Sequence, residues 1–488
     1  MTPERGAKGA AAKWVLLAIG LALFQVAVFP SARWVEDESW YSIPAHTYLV
    51  EGTLRNPTFA HTDLESKADV RPPAMPLALS LSFALFGTNP VAARVPSILA
   101  SGAIVLLTFL IGRDLLGPAG GMVAAALVAT DNFLVISGRT ARPESLVTAC
   151  CLLAVWLYLL TRHHNRGVLH LLSGLAAGLS VNFHVIGLPV VAGIGALYLW
   201  QGGGLRALAR PGAWLFALGF VATLIPFAVR VSADPVKREA FHEMYGRGER
   251  TTWGEKIAKE RNRYADFIGV GSVRFPLLGK FPVRLNVALI LLGALGTLFF
   301  LKRDIFVVLV LLTAPHLLFW IYLVNGTSRY FTLVAPLFAM LMAGAWMYSH
   351  GRLALVGVVL LGVTQLAGNL LLLRSFRNAD YSGLGARLQA LIPPNESVYG
   401  AITFWMALHD RTYYCYDRTD AKYAEEQFRP SYVIFNDRVM VRGSGYGSDS
   451  HAELRSKLGD WIRRSGTLAG KVPDPFYGKL EVYRMTYR

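Results

Sequence analysis

Stretches that contain no Asp, Glu, Lys or Arg and are long enough to cross a lipid bilayer recur along this chain. They include Trp14–Pro30, Val95–Gly112, Ser145–Thr161, Pro211–Val229, Leu285–Leu301, Ile305–Ser328 and Leu353–Leu373. A membrane-spanning helix takes roughly 17–25 predominantly apolar residues, and a helix apolar all round belongs in lipid or in a large core. Composition supports lipid: 53% of the residues are hydrophobic and 16% charged, where soluble domains carry about a quarter charged. The chain is therefore expected to be mainly α, a polytopic transmembrane helical protein. Trp14–Pro30 lacks a small-residue cleavage site, since Phe29-Pro30-Ser31-Ala32-Arg33 closes it, and reads as a retained anchor rather than a signal peptide.

Positive residues orient such a chain. Arg5, Lys8 and Lys13 place the N-terminus in the cytoplasm. Spans are expected near 14–30, 95–112, 119–137, 145–161, 168–183, 185–201, 212–230, 285–301, 305–324, 330–348 and 353–373. Eleven crossings put the C-terminus outside. The apolar segment 167–205 has Arg162 and Arg166 before it and Arg206 and Arg210 after it. Cytoplasmic charge at both ends requires two crossings, so it is split near His184. Short loops with Arg113, Lys302, Arg303 and Arg352 then face the cytoplasm, and the long segments 31–94, 231–284 and 374–488 lie outside. Pro72–Phe86 is too short to span and reads as a helix on or dipping into the outer surface. The net charge of +16 fits basic loops and anionic-ligand sites and does not call for nucleic acid. Cys150, Cys151 and Cys415 offer neither a disulfide framework nor a zinc site.

The chain divides into a transmembrane domain, 1–373, and a small soluble α/β extracytoplasmic domain, 374–488. In the latter, "ESVYGA", "RTYYCYD", "SYVIFND" and "KLEVYRM" read as short strands bounded by turn residues, with a helical "ITFWMALHD" between the first two. "EKIAKERNRYADFIG" in the loop 231–284 reads as a surface helix.

Several chemistry-bearing groups fall on the outer side. Asp37 and Glu38 stand just outside the first span, and Arg71 precedes Pro72-Pro73. "SGRTARPES" places Arg139, Arg142 and Glu144 in one turn; Arg329 and Tyr330 stand at the mouth of a later span, and His184 in the turn at the split. Singly, each has an ordinary reading. Acids at a membrane edge are solvated, arginines snorkel to headgroups, and Trp34, Trp40, Tyr41 and Tyr48 form an interfacial belt. Together they ask for more, because arginines on the outer face oppose the usual bias and their forks match phosphate oxygens.

"DESWYSIPAHTYLVEG", residues 37–52, resembles the first outer loop of the polyprenyl-phosphate-sugar-dependent glycosyltransferases of the GT-C fold. These include bacterial aminoarabinose transferases acting on lipid A and the protein O-mannosyltransferases. The likeness continues from "RPPAMPLALSLSFALFGTNP" through "TARPESL", residues 71–146, and a later segment, "SRYFTLVAPLFAML", is also similar. The resemblance implies that Asp37 is the catalytic aspartate and Glu38 the acid that follows it. It places Arg71 where the aminoarabinose transferases carry a phosphate-contacting Lys, and Glu144 at the acid of the second outer loop. Arg142 and Arg329 become phosphate contacts by charge and position, with Tyr41 and Tyr330 beside the substrate. Val70 stands where those enzymes have a metal-contacting acid, so no cofactor is assigned. A divalent metal stays open, with Glu38, Glu144 and His184 as candidate ligands.

The implied reaction moves a sugar from a polyprenyl phosphate to a glycolipid such as lipid A, a polysaccharide or a protein. It takes place on the extracytoplasmic face of a bacterial inner membrane. Asp37 would take the proton of the attacking hydroxyl or amine, the arginines would stabilise the leaving phosphate, and one displacement would invert the anomeric carbon. A transporter or flippase of lipid-linked sugars is the competing class. It predicts pseudo-symmetric halves and ionisable residues at mid-membrane, whereas the sequence shows no internal repeat and Asp131 is the one mid-span acid. A binding or assembly protein would not need the set of acids and arginines at all.

Overall fold

The computed structural model describes residues 3–28, 34–59, 70–164, 166–246, 254, 304–322, 328–349, 352–377, 379–416, 421–436 and 448–487. The expected span 285–301 and the surface helix "EKIAKERNRYADFIG" lie outside them. The helices that matter below are α1 (Pro3–Ala27), α2 (Glu36–Glu51), α3 (Ala74–Phe86), α4 (Pro90–Ala129), α5 (Asn132–Gly138), α6 (Glu144–Leu160), α7 (Gly167–Phe183), α8 (Pro189–Gly202), α9 (Pro211–Ser232), α10 (Pro235–Gly246), α11 (Asp304–Tyr322), α12 (Ala335–Ser349), α13 (Arg352–Phe376), α14 (Tyr381–Leu391) and α15 (Ser448–Ser465). The chain forms two compact units. One comprises Met1–Val28, Pro96–Arg230 and Gly248–Arg374; the other comprises Phe29–Val95, Val231–Arg247 and Ser375–Arg488.

The first unit is helical and carries the long apolar runs. Among the described residues, Pro90–Ala129, Val185–Gly202, Pro211–Ser232 and Ala354–Arg374 are long and apolar enough to cross a membrane, and further apolar helices are shorter. Eleven crossings are thus supported only roughly. The 40-residue α4 is two helices in fact. Gly117 has φ 80 and ψ 173, outside helical values, and a Cβ at Gly121 would sit 2.7 Å from the Arg113 amide nitrogen. Residues eight apart on a straight helix are about 12 Å apart along its axis, so the chain reverses at Gly117 into a hairpin, as two crossings require.

α9 shows how sequence spacing selects lipid on one side and protein on the other. Trp214, Leu218, Val221, Ile225 and Val229 share one helical face and are exposed, a stripe that only an apolar solvent tolerates. Gly219 lies on the opposite side, where a Cβ would come 2.9 Å from the Leu175 amide nitrogen of α7. Gly174 of α7 likewise faces the Phe216 carbonyl. Without a hydrophobic drive between helices in lipid, such small residues let backbones approach and pack. Gly174→Leu should therefore destabilise the protein by about 1–3 kcal/mol through overpacking, read as a lower thermal midpoint in detergent. Gly195→Ala, where a Cβ meets nothing within 4 Å, is the matched control and should leave the midpoint in place.

Two breaks interrupt the expected spans. α7 ends at Phe183 and α8 begins at Pro189, with the His184 ring accepting the Ile186 amide at 3.2 Å; this is the split anticipated near His184. The expected span 119–137, by contrast, is not one helix: it stops at Ala129 and restarts at Asn132. Asp131 is the reason, since its carboxylate caps α5 by accepting the Leu134 amide at 2.9 Å. The carbonyls left at the break take side-chain donors, Gln25 on Ala129 at 2.9 Å and Asn369 on Thr130 at 2.8 Å. Gln365 donates to Asp131 at 3.2 Å and Asn369 to Gln25 at 2.8 Å. A broken helix is tolerated in lipid when its freed backbone groups are satisfied in this way. The amides come from α13, whose Gln365 and Asn369 sit four apart on one face of an otherwise apolar helix.

The second unit contains a five-stranded sheet ordered β2-β1-β3-β5-β4. Its strands are β1 (Ser397–Gly400), β2 (Thr412–Cys415), β3 (Tyr432–Asn436), β4 (Gly466–Asp474) and β5 (Gly478–Met485). β1 pairs in parallel with β2 and β3, while β5 pairs antiparallel with β3 and β4. The four strands read from sequence are all present, and "ITFWMAL" is a 3-10 helix, Ile402–Leu408. β4 escaped the reading. It is an edge strand, mostly solvent-facing, with a bulge between Leu468 and Gly470 and with Gly466 and Pro473 inside it. Edge strands accept Gly and Pro because one side needs no ladder partner. Trp461 of α15 and Tyr399 of β1 meet with ring centroids 5.7 Å apart in the core.

Candidate active site

The site is best built from α2. Its first turn holds Glu36, Asp37 and Glu38, where the positive end of the helix dipole favours acids. Val35, the N-cap, is extended at φ −119 and ψ 154 and has no oxygen to cap with. Glu38 substitutes by reaching back to accept the Val35 amide at 3.0 Å, half of a capping box. Gly52 ends the helix at φ 73, a left-handed position suited to Gly, with its amide on the Tyr48 carbonyl at 2.9 Å. Helical periodicity then sorts the side chains. Glu38, Ser39, Ser42, Ile43 and Ala45 are buried, while Asp37, Trp40 and Tyr41 share the opposite, half-exposed face.

Arg71 joins that face. Pro72-Pro73 lead directly into α3, which packs on α2, and the Arg71 guanidinium lies over the Trp40 ring at 4.5 Å from its centroid. Cation–π attraction supplies the contact, and Trp40 stands three residues after Asp37 along the helix. A carboxylate, an aromatic ring and the guanidinium over that ring thus gather at one side of a short helix.

Glu38 has a different environment. It is 0% exposed and forms a two-pronged ion pair with Arg94, both bonds at 2.9 Å. Arg94 is buried as well and lies 5.5 Å from the Trp34 ring centroid. Arg94 was not singled out from sequence. The available signal was general: a buried acid needs a cation, and Arg94 stands at the edge of an apolar run.

In the first unit, Arg142 and Glu144 pair at 2.7 Å, both buried. The pair is anchored by its neighbours: Ser97 donates to the Arg142 carbonyl at 3.1 Å and Thr148 to the Glu144 carbonyl at 2.8 Å. Arg139, from the same turn, donates to the Gln25 carbonyl at 2.8 Å and also to that of Val28, holding the end of α1. Arg329 and Tyr330 stand in the 3-10 turn Ser328–Leu333. Among the described residues, no three His, Cys, Asp or Glu side chains converge as a metal ion would need, and this holds for Glu38, Glu144 and His184. The Gln365–Asn369 pair is a second group missed from sequence; an i, i+4 amide pair within a span was its visible sign.

A family model, Dolichyl-phosphate-mannose-protein mannosyltransferase, matches residues 70–229. No curated protein matches the chain. Among solved structures, ArnT from Cupriavidus metallidurans in the apo state superposes with TM-score 0.67 at 12% identity, covering 98% of both chains. The chain has the GT-C fold. It is also similar to the same ArnT bound to undecaprenyl phosphate, at TM-score 0.62 and 12% identity with 98% of each chain covered. The Archaeoglobus fulgidus oligosaccharyltransferase, tethered to an acceptor peptide, gives TM-score 0.58 at 12% identity, over 98% of this chain and 74% of that one. At such identity the structures speak for the fold, and the residues of this chain must speak for its chemistry.

Proposed function

We propose that this protein is a glycosyltransferase that moves a sugar from a polyprenyl-phosphate donor to an acceptor hydroxyl or amine at the extracytoplasmic face of a bacterial inner membrane. Asp37 is the general base and Arg71 the phosphate contact. The observation that carries the reading is the α2 face itself, which Asp37 and Tyr41 share with a Trp40 ring that lies under Arg71. The undecaprenyl phosphate in one structural neighbour, the acceptor peptide in another, and the lipid-phosphate sugar in the family description all support a donor and acceptor of these classes. Asp37 accepts the proton as the acceptor oxygen or nitrogen closes on the anomeric carbon, and the sugar–phosphate bond breaks with inversion. A phosphate leaves well once its charge is held, which needs positive forks more than a strong acid. Arg142, Glu144, Arg329 and Tyr330 are the corresponding candidates in the first unit. The acceptor is a glycolipid such as lipid A, a polysaccharide or a protein.

The decisive test is mass spectrometry of membranes with and without the active protein. A sugar should vanish from one envelope component while its lipid-linked donor accumulates; identical lipid profiles would refute the reading. Arg71→Ala tests the phosphate contact separately. A charge-assisted hydrogen bond contributes about 1.5–3 kcal/mol, so undecaprenyl phosphate should bind roughly 10–100-fold more weakly. Unchanged affinity would reduce Arg71 to a partner of Trp40.

A further inference from the structure

Trp34, two residues before α2, is held by the tip of a hairpin from the far end of the chain. Tyr477 lies in the turn between β4 and β5. Its hydroxyl accepts the Trp34 amide at 2.7 Å and donates to the Trp34 carbonyl at 2.5 Å, so one phenol grips both backbone polar groups of one residue. The Trp34 indole donates to Ser39 at 2.8 Å, and Ser39 donates to the Ile402 carbonyl at 3.0 Å. Trp34 is 0% exposed and its ring meets Tyr381 at a centroid distance of 6.0 Å. Tyr477 is itself packed by Tyr381 at 6.0 Å and Phe404 at 5.6 Å.

The turn that carries Tyr477 is rigid for stated reasons. Asp474 accepts the amides of Phe476 at 2.8 Å and Tyr477 at 2.9 Å, and Asn436, at the end of β3, donates to the Tyr477 carbonyl at 2.7 Å. Burial holds the Tyr477 phenol far above its ordinary value, so it stays protonated and keeps both bonds. Trp34 precedes Asp37 by three residues, with only the N-cap and Glu36 between them. Whatever fixes the Trp34 backbone fixes where the first turn of α2 begins, and hence where the Asp37 carboxylate points.

We propose that the C-terminal domain positions the catalytic base, with Tyr477 as the positioning residue and the β4–β5 turn as its mount. The proposal rests on the reading of Asp37 as base. It assigns the domain a role in turnover, without contact to the reacting atoms. A misplacement of about 1 Å can cost about 10²-fold in rate, whereas Arg71, the proposed phosphate contact, is mounted on the lead into α3 and not on the first turn of α2.

The test uses the full chain, purified in detergent, and lipid-linked sugars extracted from host membranes lacking the protein. Donor consumption is followed by mass spectrometry, and undecaprenyl phosphate is the binding probe. Tyr477→Phe keeps the ring and removes the two bonds. It should slow consumption about 10–100-fold with undecaprenyl phosphate affinity unchanged. Asp474→Ala, which loosens the turn but leaves the hydroxyl, should show the same split more weakly and serves if the first variant does not fold. Full rate in both variants, or a parallel loss of rate and lipid affinity, overturns the positioning role. Asp37→Asn is run alongside: if it is active, the base assignment fails; if it is inactive while Tyr477→Phe runs at full rate, only the grip fails.

Discussion

Asp37→Asn should abolish sugar transfer while leaving a folded protein that still binds undecaprenyl phosphate. The substitution is nearly isosteric and Asp37 is half-exposed, so little packing is lost. What disappears is the basic oxygen. General base catalysis contributes typically 10²–10⁴-fold, and transfer should fall by about that factor, to the background of the donor assay. The acid also sits in the first turn of a helix. Its neutralisation forfeits about 0.3–1 kcal/mol of dipole stabilisation at most, too little to unfold the chain. Rate and lipid affinity are thus expected to separate: the first collapses and the second persists. Retained transfer in this variant would remove Asp37 from the mechanism and leave the Trp40–Arg71 stack as a binding feature alone.

Arg94→Ala should produce the largest loss of stability of any single substitution considered. Glu38 is 0% exposed and Arg94 3%, so neither charge can turn to water when its partner is removed. Breaking a buried pair from one side costs about 3–5 kcal/mol, and the truncation also strips the guanidinium from the Trp34 ring. The protein should be recovered poorly from membranes and show a strongly lowered thermal midpoint. A second change, Glu38→Gln, should restore part of the loss, because the uncompensated charge is then gone and an amide can still accept the Val35 amide. A double variant as unstable as Arg94→Ala would mean that packing, rather than the stranded carboxylate, dominates.

Much of the architecture was legible in the residues. Apolar runs without charge announce helices in lipid, and paired arginines around 167–205 located a break that the structure places at His184. Alternating aromatic and β-branched residues marked the strands β1, β2, β3 and β5. The same local reading failed at β4, where Gly and Pro on an edge dilute the pattern, and at residues 130–131, where a continuous apolar profile hides a helix break. There Asp131 was visible as an isolated acid, but its role as a cap depends on the Leu134 amide and on Gln365, 234 residues away. The acids of the first loop were recognised as a pair, yet the fold treats them oppositely. Asp37 is left half-exposed, and Glu38 is fully buried against Arg94.

The sequence by itself determined what depends on solvent and on neighbours along the chain: which segments belong in lipid, which form strands, and where acids and arginines cluster. Tertiary structure decided what depends on meetings across the chain. Glu38 finds Arg94 56 residues on, and Trp34 finds Tyr477 443 residues on. Hydropathy and periodicity are sums over local windows, and burial of a particular charge or the grip on a particular carbonyl appears in no such sum. It emerges only when distant segments pack and the groups removed from water must find their partners in each other.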